Sequence, residues 1–194
     1  MRNNFCESQL EEATLEWFQE LGYDIAFGPE ISPEGDYPER EDYSEVILAE
    51  RIRQALAEFN PELPEDAIEE AYRKIAVPQS PSLVMNNKTF QKMITDGIEV
   101  SYRQKDGTIR HVLAKVFDFV HWDRNDFLAV NQYTIIENRI EKRPDVVVFV
   151  NGIPLVVIEL KSAINEDVDI SDAYNQLQTY KMSIPHYLHT IHLW

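Results

Sequence analysis

Arg143-Pro144-Asp145-Val146-Val147-Val148-Phe149-Val150-Asn151-Gly152-Ile153-Pro154-Leu155-Val156-Val157-Ile158-Glu159-Leu160-Lys161 decides the reading of this chain. Two apolar, largely β-branched runs flank an Asn-Gly pair, the pattern of a β-hairpin. Charges stand only at its open end: Asp145 where the first strand begins, Glu159 and Lys161 where the second finishes. Side chains two apart on a strand share a face, so Glu159 and Lys161 project together from an apolar ribbon. Burying charges costs several kcal/mol unless they are paired, so these three require a chemical reason. Two carboxylates that hold a hard divalent cation, beside a lysine that steadies an attacking water or developing negative charge, suit metal-assisted phosphodiester hydrolysis.

Plainer readings compete. Asp145 fits an ordinary strand start after Pro144, and Glu159 with Lys161 fits a sheet-edge ion pair worth at most about 1 kcal/mol. The register of the hairpin bears on the choice. A strict two-residue loop pairs Asp145 with Ile158 and turns it away from Glu159. A three-residue loop, Val150-Asn151-Gly152 with glycine in the left-handed position of a bulge, pairs it with Val157 and puts it on the face of Glu159. A shared site therefore demands the bulged loop, or a kink elsewhere in the first strand.

With 194 residues, 44% of them hydrophobic, the chain suits one domain with a sizeable core. Its one cysteine, Cys6, gives no disulfide framework and suits a reducing cytoplasm. No apolar run approaches the roughly 20 residues of a membrane span, and no signal pattern opens the chain. The net charge of −16 is segregated: residues 1–75 hold 20 acids and 6 bases, residues 76–194 hold 14 acids and 12 bases. The half with the hairpin is thus nearly neutral. Lysine and arginine supply affinity for a phosphate backbone, so the chain alone is expected to be monomeric, to bind DNA weakly and to be almost inactive on it at physiological salt.

The predicted elements run helix-first. An amphipathic helix over 8–21 has Ser8 and Glu11 as a capping box, Gly22 at its left-handed end, and a stripe of Leu10, Trp17, Leu21 and either Thr14 or Phe18. A surface loop over 28–43 precedes helices over 44–59, 65–75 and 83–95. Strands follow over 98–102 and 109–117 around Lys105-Asp106-Gly107, then over 128–136, then the 145–161 hairpin, and a last helix over 171–182. This predicts one α/β domain, mainly helical over about 1–95 and sheet-bearing over about 96–194. There is no Gly-x-x-x-x-Gly-Lys-Ser/Thr phosphate loop in the chain. His186, His189 and His192 have a spacing a transition metal can use, but no cysteine or acid joins them.

The Asp145, Glu159 and Lys161 pattern resembles the active site of the PD…(D/E)-x-K nuclease superfamily. Asn175-Gln176-Leu177-Gln178-Thr179-Tyr180-Lys181 resembles the Gln-x-x-x-Tyr element of a subset of those nucleases. With the Asn131-Gln132-Tyr133-Thr134 run, Gln9-Leu10-Glu11-Glu12 and Leu21-Gly22-Tyr23, nearly the whole chain resembles the N-terminal nuclease domain of type I restriction enzyme R subunits. The resemblance implies a restriction-endonuclease-like mixed sheet flanked by helices, with a helical N-terminal portion. It implies Mg²⁺ held by Asp145 and Glu159, with Glu12 as a further acidic ligand or support, and catalytic help from Lys161. Gln176 would orient a DNA phosphate or a ligand carboxylate, or stand in solvent, and Tyr180 would pack on the sheet and reach the site. The implied substrate is double-stranded DNA, and the implied partners are modification and specificity subunits. An ATP-binding motor would follow beyond this chain, whose end on Leu193-Trp194 agrees with a piece of a longer protein. The segment after Ile184-Pro185 departs from the family, which bears on a final strand. The alternative reading is a catalytically inactive nuclease-fold module that docks onto partner subunits, suggested by the acidic first 75 residues.

Overall fold

The structure, a computed structural model, describes residues 7–161 and 170–184. Cys6, the histidines at 186, 189 and 192, and the expected final strand lie outside the described residues.

Helix α1 (Glu7–Glu20) ends where the sequence places a left-handed residue: Gly22 has φ 90°. Gly22 N–H donates to Gln19 O at 3.0 Å and Tyr23 N–H to Phe18 O at 3.0 Å. This is a Schellman closure, and Phe18 packs edge-on against Tyr23 with ring centroids 5.0 Å apart. Two expectations for the helix are corrected. Glu7 is already helical, so Ser8 lies within the first turn instead of capping it. Trp17 and Leu21 are 65% and 69% exposed, so the packed stripe runs through Leu10, Thr14 and Phe18.

The chain then forms β1 (Asp24–Phe27), which the sequence pattern did not reveal, and it pairs parallel with β4 (Phe127–Asn131). Helices α2 (Ala49–Phe59) and α3 (Glu65–Ala76) follow, amphipathic and packed together through Ile52, Ala55 and Leu56 on one and Ala67, Ile68, Ala71 and Ile75 on the other. α2 starts later than expected because Val46-Ile47-Leu48 is buried without being helical, with Leu48 extended. Helix α4 (Leu83–Asp96) is capped by Ser82, and Gly97, at φ 101°, turns the chain into β2 (Ile98–Arg103). β2 and β3 (Ile109–Ala114) make the expected hairpin around Gly107 as a separate two-stranded ribbon.

The main sheet has the order β1-β4-β7-β8, where β7 (Val146–Val150) and β8 (Ile153–Ile158) are the quoted hairpin. It is a mixed sheet, parallel between β1 and β4 and antiparallel elsewhere. Val146 to Phe149 are all buried, which explains a run without alternation: a strand covered on both faces needs no polar side. Leu128, Val130, Val147, Phe149 and Ile153 join one core with Leu48, Ile52, Leu56, Ile98 and Val100.

The expected strand over 128–136 is broken. β4 stops at Asn131, Gln132 takes φ 55°, and a small hairpin follows, β5 (Ile135–Glu137) with β6 (Ile140–Lys142). Helix α5 (Ile170–Ser183) sends Tyr180 into the core. No helix among the described residues is long and apolar enough to cross a membrane.

Candidate active site

The hairpin tip resolves the register. Asn151 and Gly152 have φ 52° and 77°, both left-handed, so the loop has two residues and Val150 pairs with Ile153. Farther along, Val148 pairs with Val156 and Val146 with Ile158, because the register shifts between Val148 and Phe149. Phe149 faces Pro154, so Leu155 is the extra residue of a bulge in β8. The irregularity is therefore neither at the tip nor in the first strand. Proline lacks the donor that a ladder needs, and bulges on edge strands tolerate it. Continued by one residue, this register sets Asp145 opposite Glu159, on one face.

Contacts agree with that placement. Leu160 N–H donates to Asp145 Oδ2 at 2.7 Å. Glu159 Oε1 accepts from the Tyr180 hydroxyl at 2.6 Å, and Oε2 accepts from Gln176 Nε2 at 2.6 Å. Gln176 and Tyr180, one helical turn apart on α5, also meet each other at 3.1 Å. Gln176 thus reaches a carboxylate instead of solvent, and Tyr180 both packs and reaches the site. Lys161 is half-buried, with Nζ 3.8 Å from Glu7 at the start of α1.

Glu12 is exposed. The inward position belongs to Glu11, whose oxygens accept from Asn131 Nδ2 at 2.6 Å and Gln132 Nε2 at 2.8 Å. Gln132 N–H also donates to Asp145 O at 3.0 Å, so the break after β4 ties α1 to the aspartate. Phe18 is the signal for this position in the sequence, because Glu11 lies seven residues before it on the same side of the helix. Behind this turn, Arg40 is 5% exposed, with its guanidinium 3.9 Å from the Tyr133 ring centroid and donating to Thr134 O at 2.6 Å.

Electrostatics mark the pair as short of positive charge. Burial, with help from the Asp145 carboxylate and against the Tyr180 and Lys161 contacts, pushes the Glu159 carboxyl up to about 7. Burial also raises Asp145, opposed by the Leu160 N–H and Lys161 and reinforced by Glu11 and Glu7. Burial and the bond to Glu159 raise the Tyr180 hydroxyl, which therefore stays a donor. A divalent cation between the two carboxylates would remove this penalty. Among the described residues no three metal-ligating side chains converge to enclose an ion. Two carboxylates still fit Mg²⁺, which keeps several waters and takes substrate phosphates as remaining ligands.

Comparison with protein families matches residues 4–194 to the family described as Type I restriction enzyme R protein N terminus. The chain belongs to that family. It is 38% identical over 179 residues to the type I restriction enzyme HindI endonuclease subunit of Haemophilus influenzae, covering 92% of this chain and 17% of that protein. It is 33% identical over 179 residues to the putative type I restriction enzyme MjaIXP endonuclease subunit of Methanocaldococcus jannaschii, covering 91% and 17%. A Staphylococcus saprophyticus relative, the type I restriction enzyme SsaAORF53P endonuclease subunit, matches 50% of the chain at 32% identity. In this R-protein N-terminal chain, Asp145, Glu159, Gln176, Tyr180, Lys161 and Glu11 surround one corner of the sheet, where β7 begins and β8 ends.

Proposed function

We propose that this chain is the Mg²⁺-dependent endonuclease domain of a type I restriction R subunit, hydrolysing phosphodiester bonds of double-stranded DNA. The observation that carries the proposal is the bulge, which spends one residue of β8 to bring Asp145 and Glu159 to one face beside Lys161. Asp145 and Glu159 would hold the ion, with Glu11 beside them. Mg²⁺ supplies Lewis acidity at a phosphoryl oxygen and lowers the pKa of bound water. Lys161 places a compact positive charge where the attacking water and the phosphoryl oxygens gather charge. Tyr180 and Gln176 each occupy one oxygen of Glu159 and fix its orientation.

The relatives named above are endonuclease subunits in which this chain spans 17% of the length. Modification and specificity subunits are proposed as partners, with sequence recognition and ATP-driven delivery of DNA assigned to parts beyond this chain. Thermal denaturation with and without Mg²⁺ or Mn²⁺ tests the site. The ions should raise the melting temperature of the chain, and Asp145→Ala should abolish the rise. A docking module without chemistry would show no metal-dependent shift in either protein.

A further inference from the structure

We infer that the β5–β6 hairpin is a phosphate-gripping arm that seats the DNA backbone beside the metal pair; this rests on the nuclease reading above. Its two turn residues, Asn138 and Arg139, have φ 52° and 66°. Two successive left-handed residues make a two-residue turn that glycine favours, and for arginine the left-handed region costs about 1–2 kcal/mol. A long cation at the tip is thus retained against backbone preference, and such strain is characteristic of functional segments.

The hairpin is a fixed platform. Ile135 is fully buried, Ile136 N–H donates to Tyr43 O at 3.1 Å, and Ile135 pairs with Lys142. The strand then runs through Arg143 and Pro144 directly into Asp145. Lys142 Nζ lies 5.7 Å from the centroid of the Tyr180 ring, whose hydroxyl holds Glu159. Arg139 and Arg143 are exposed, as is Lys181 on α5, the residue after Tyr180. None of these four cations enters an ion pair among the described residues, although the chain carries 34 acids against 18 bases. By contrast, Arg51, Arg53, Lys74 and Arg124 are each bound to a carboxylate. The hairpin also carries Glu137 and Glu141, and Glu141 projects opposite to Lys142 along β6. Unpaired arginine and lysine on a rigid ribbon, next to carboxylates that would hold Mg²⁺, fit a polyanion that spans both. Backbone contacts of this kind position a duplex and carry no sequence information.

The test is equilibrium binding of a short random-sequence duplex to the 194-residue chain, followed by fluorescence anisotropy in Ca²⁺ from low to physiological salt. Each lost phosphate contact should flatten the plot of log affinity against log salt by about 0.9. The variant R139N/K142Q/R143Q keeps a turn-tolerant asparagine at the tip and should flatten the slope by about 2 to 3. A control with the same charge change on the β2–β3 ribbon, R103Q/K105Q/R110Q, should change it by less than about 1. Lys142→Arg should keep the wild-type slope. An unchanged slope in the hairpin variant, an equal loss in the control, or no duplex binding by the wild-type chain at the lowest salt would overturn the inference. Mg²⁺-dependent thermal stabilisation, measured in parallel, separates the two claims. Stabilisation retained with an unaltered slope sinks the arm alone, whereas no stabilisation of the wild-type chain sinks the metal site.

Discussion

The proposed chemistry depends most on Glu159. Its carboxyl is pushed up to about 7, mainly by burial, while its ordinary value lies near 4.5. The linkage sign follows. Between those two values the folded state binds more protons than the unfolded state, so this group lowers the stability of the metal-free protein as pH rises from about 4.5 to about 7. Metal binding requires the ionised carboxylate and reverses the penalty. The stabilisation conferred by saturating Mg²⁺ should therefore be small near pH 5.5, grow through pH 7 and level off above about 8. Thermal melts at fixed Mg²⁺ across pH measure this, and a pH-independent shift would contradict it. Tyr180→Phe removes only the hydroxyl that holds Glu159 Oε1 and keeps the ring in the core. Cleavage by the assembled enzyme should fall about 10–100-fold, the range for a group that orients a metal ligand, with the fold intact by circular dichroism. Activity within twofold of wild type would show that the hydroxyl has no such role. Asp145, Glu159 and Lys161 stood out as candidates from charge and spacing, and Gln176 and Tyr180 only through the resemblance to the Gln-x-x-x-Tyr element; the structure adds the contacts of Gln176 and Tyr180 with Glu159. Glu11 was not legible, because two adjacent glutamates on a helix cannot be told apart until the buried face is known.

At the level of elements, the decisive feature is a single unpaired residue. A plain ladder from a two-residue turn sets Asp145 opposite Ile158, and the bulge at Leu155 resets it opposite Glu159. Two single-residue deletions separate register from composition. Deleting Leu155 removes the bulge and leaves Asp145 opposite Glu159, so metal-dependent stabilisation should survive. Deleting Ile158 keeps the bulge, sets the glutamate opposite Val146 and turns it to the other face, so stabilisation should vanish. The opposite ranking of the two variants would refute the register argument. The turn itself tolerates little change: a Cβ on Gly152 would lie 2.5 Å from Leu48 O, at φ 77°. The sequence announced the hairpin, α2 to α5 and the β2–β3 ribbon through periodicity and turn residues. It concealed β1, whose four residues fall between the expected helix over 8–21 and the expected loop over 28–43, and β5–β6, whose turn contains no glycine.

Over the whole molecule, acids and bases are unevenly used. Arg51 and Arg53 of the acidic first half are committed, Arg51 to Glu39 and Asp126 and Arg53 to Glu50 and Glu69, while among the described residues Arg139, Lys142, Arg143 and Lys181 of the sheet half enter no ion pair. This distribution was visible in the sequence only as a near-neutral second half, since which cations are paired depends on tertiary contacts. With this charge, the proposed nuclease should act when DNA is brought to it, within an assembled enzyme. The direct measurement is plasmid cleavage and ATP hydrolysis by a reconstituted type I complex whose R subunit carries Glu159→Ala. Cleavage should fall to background, at least about 1000-fold, with ATP hydrolysis unchanged, as expected when a metal ligand is lost from a nuclease that a separate motor supplies. Cleavage within about tenfold of wild type would contradict the account.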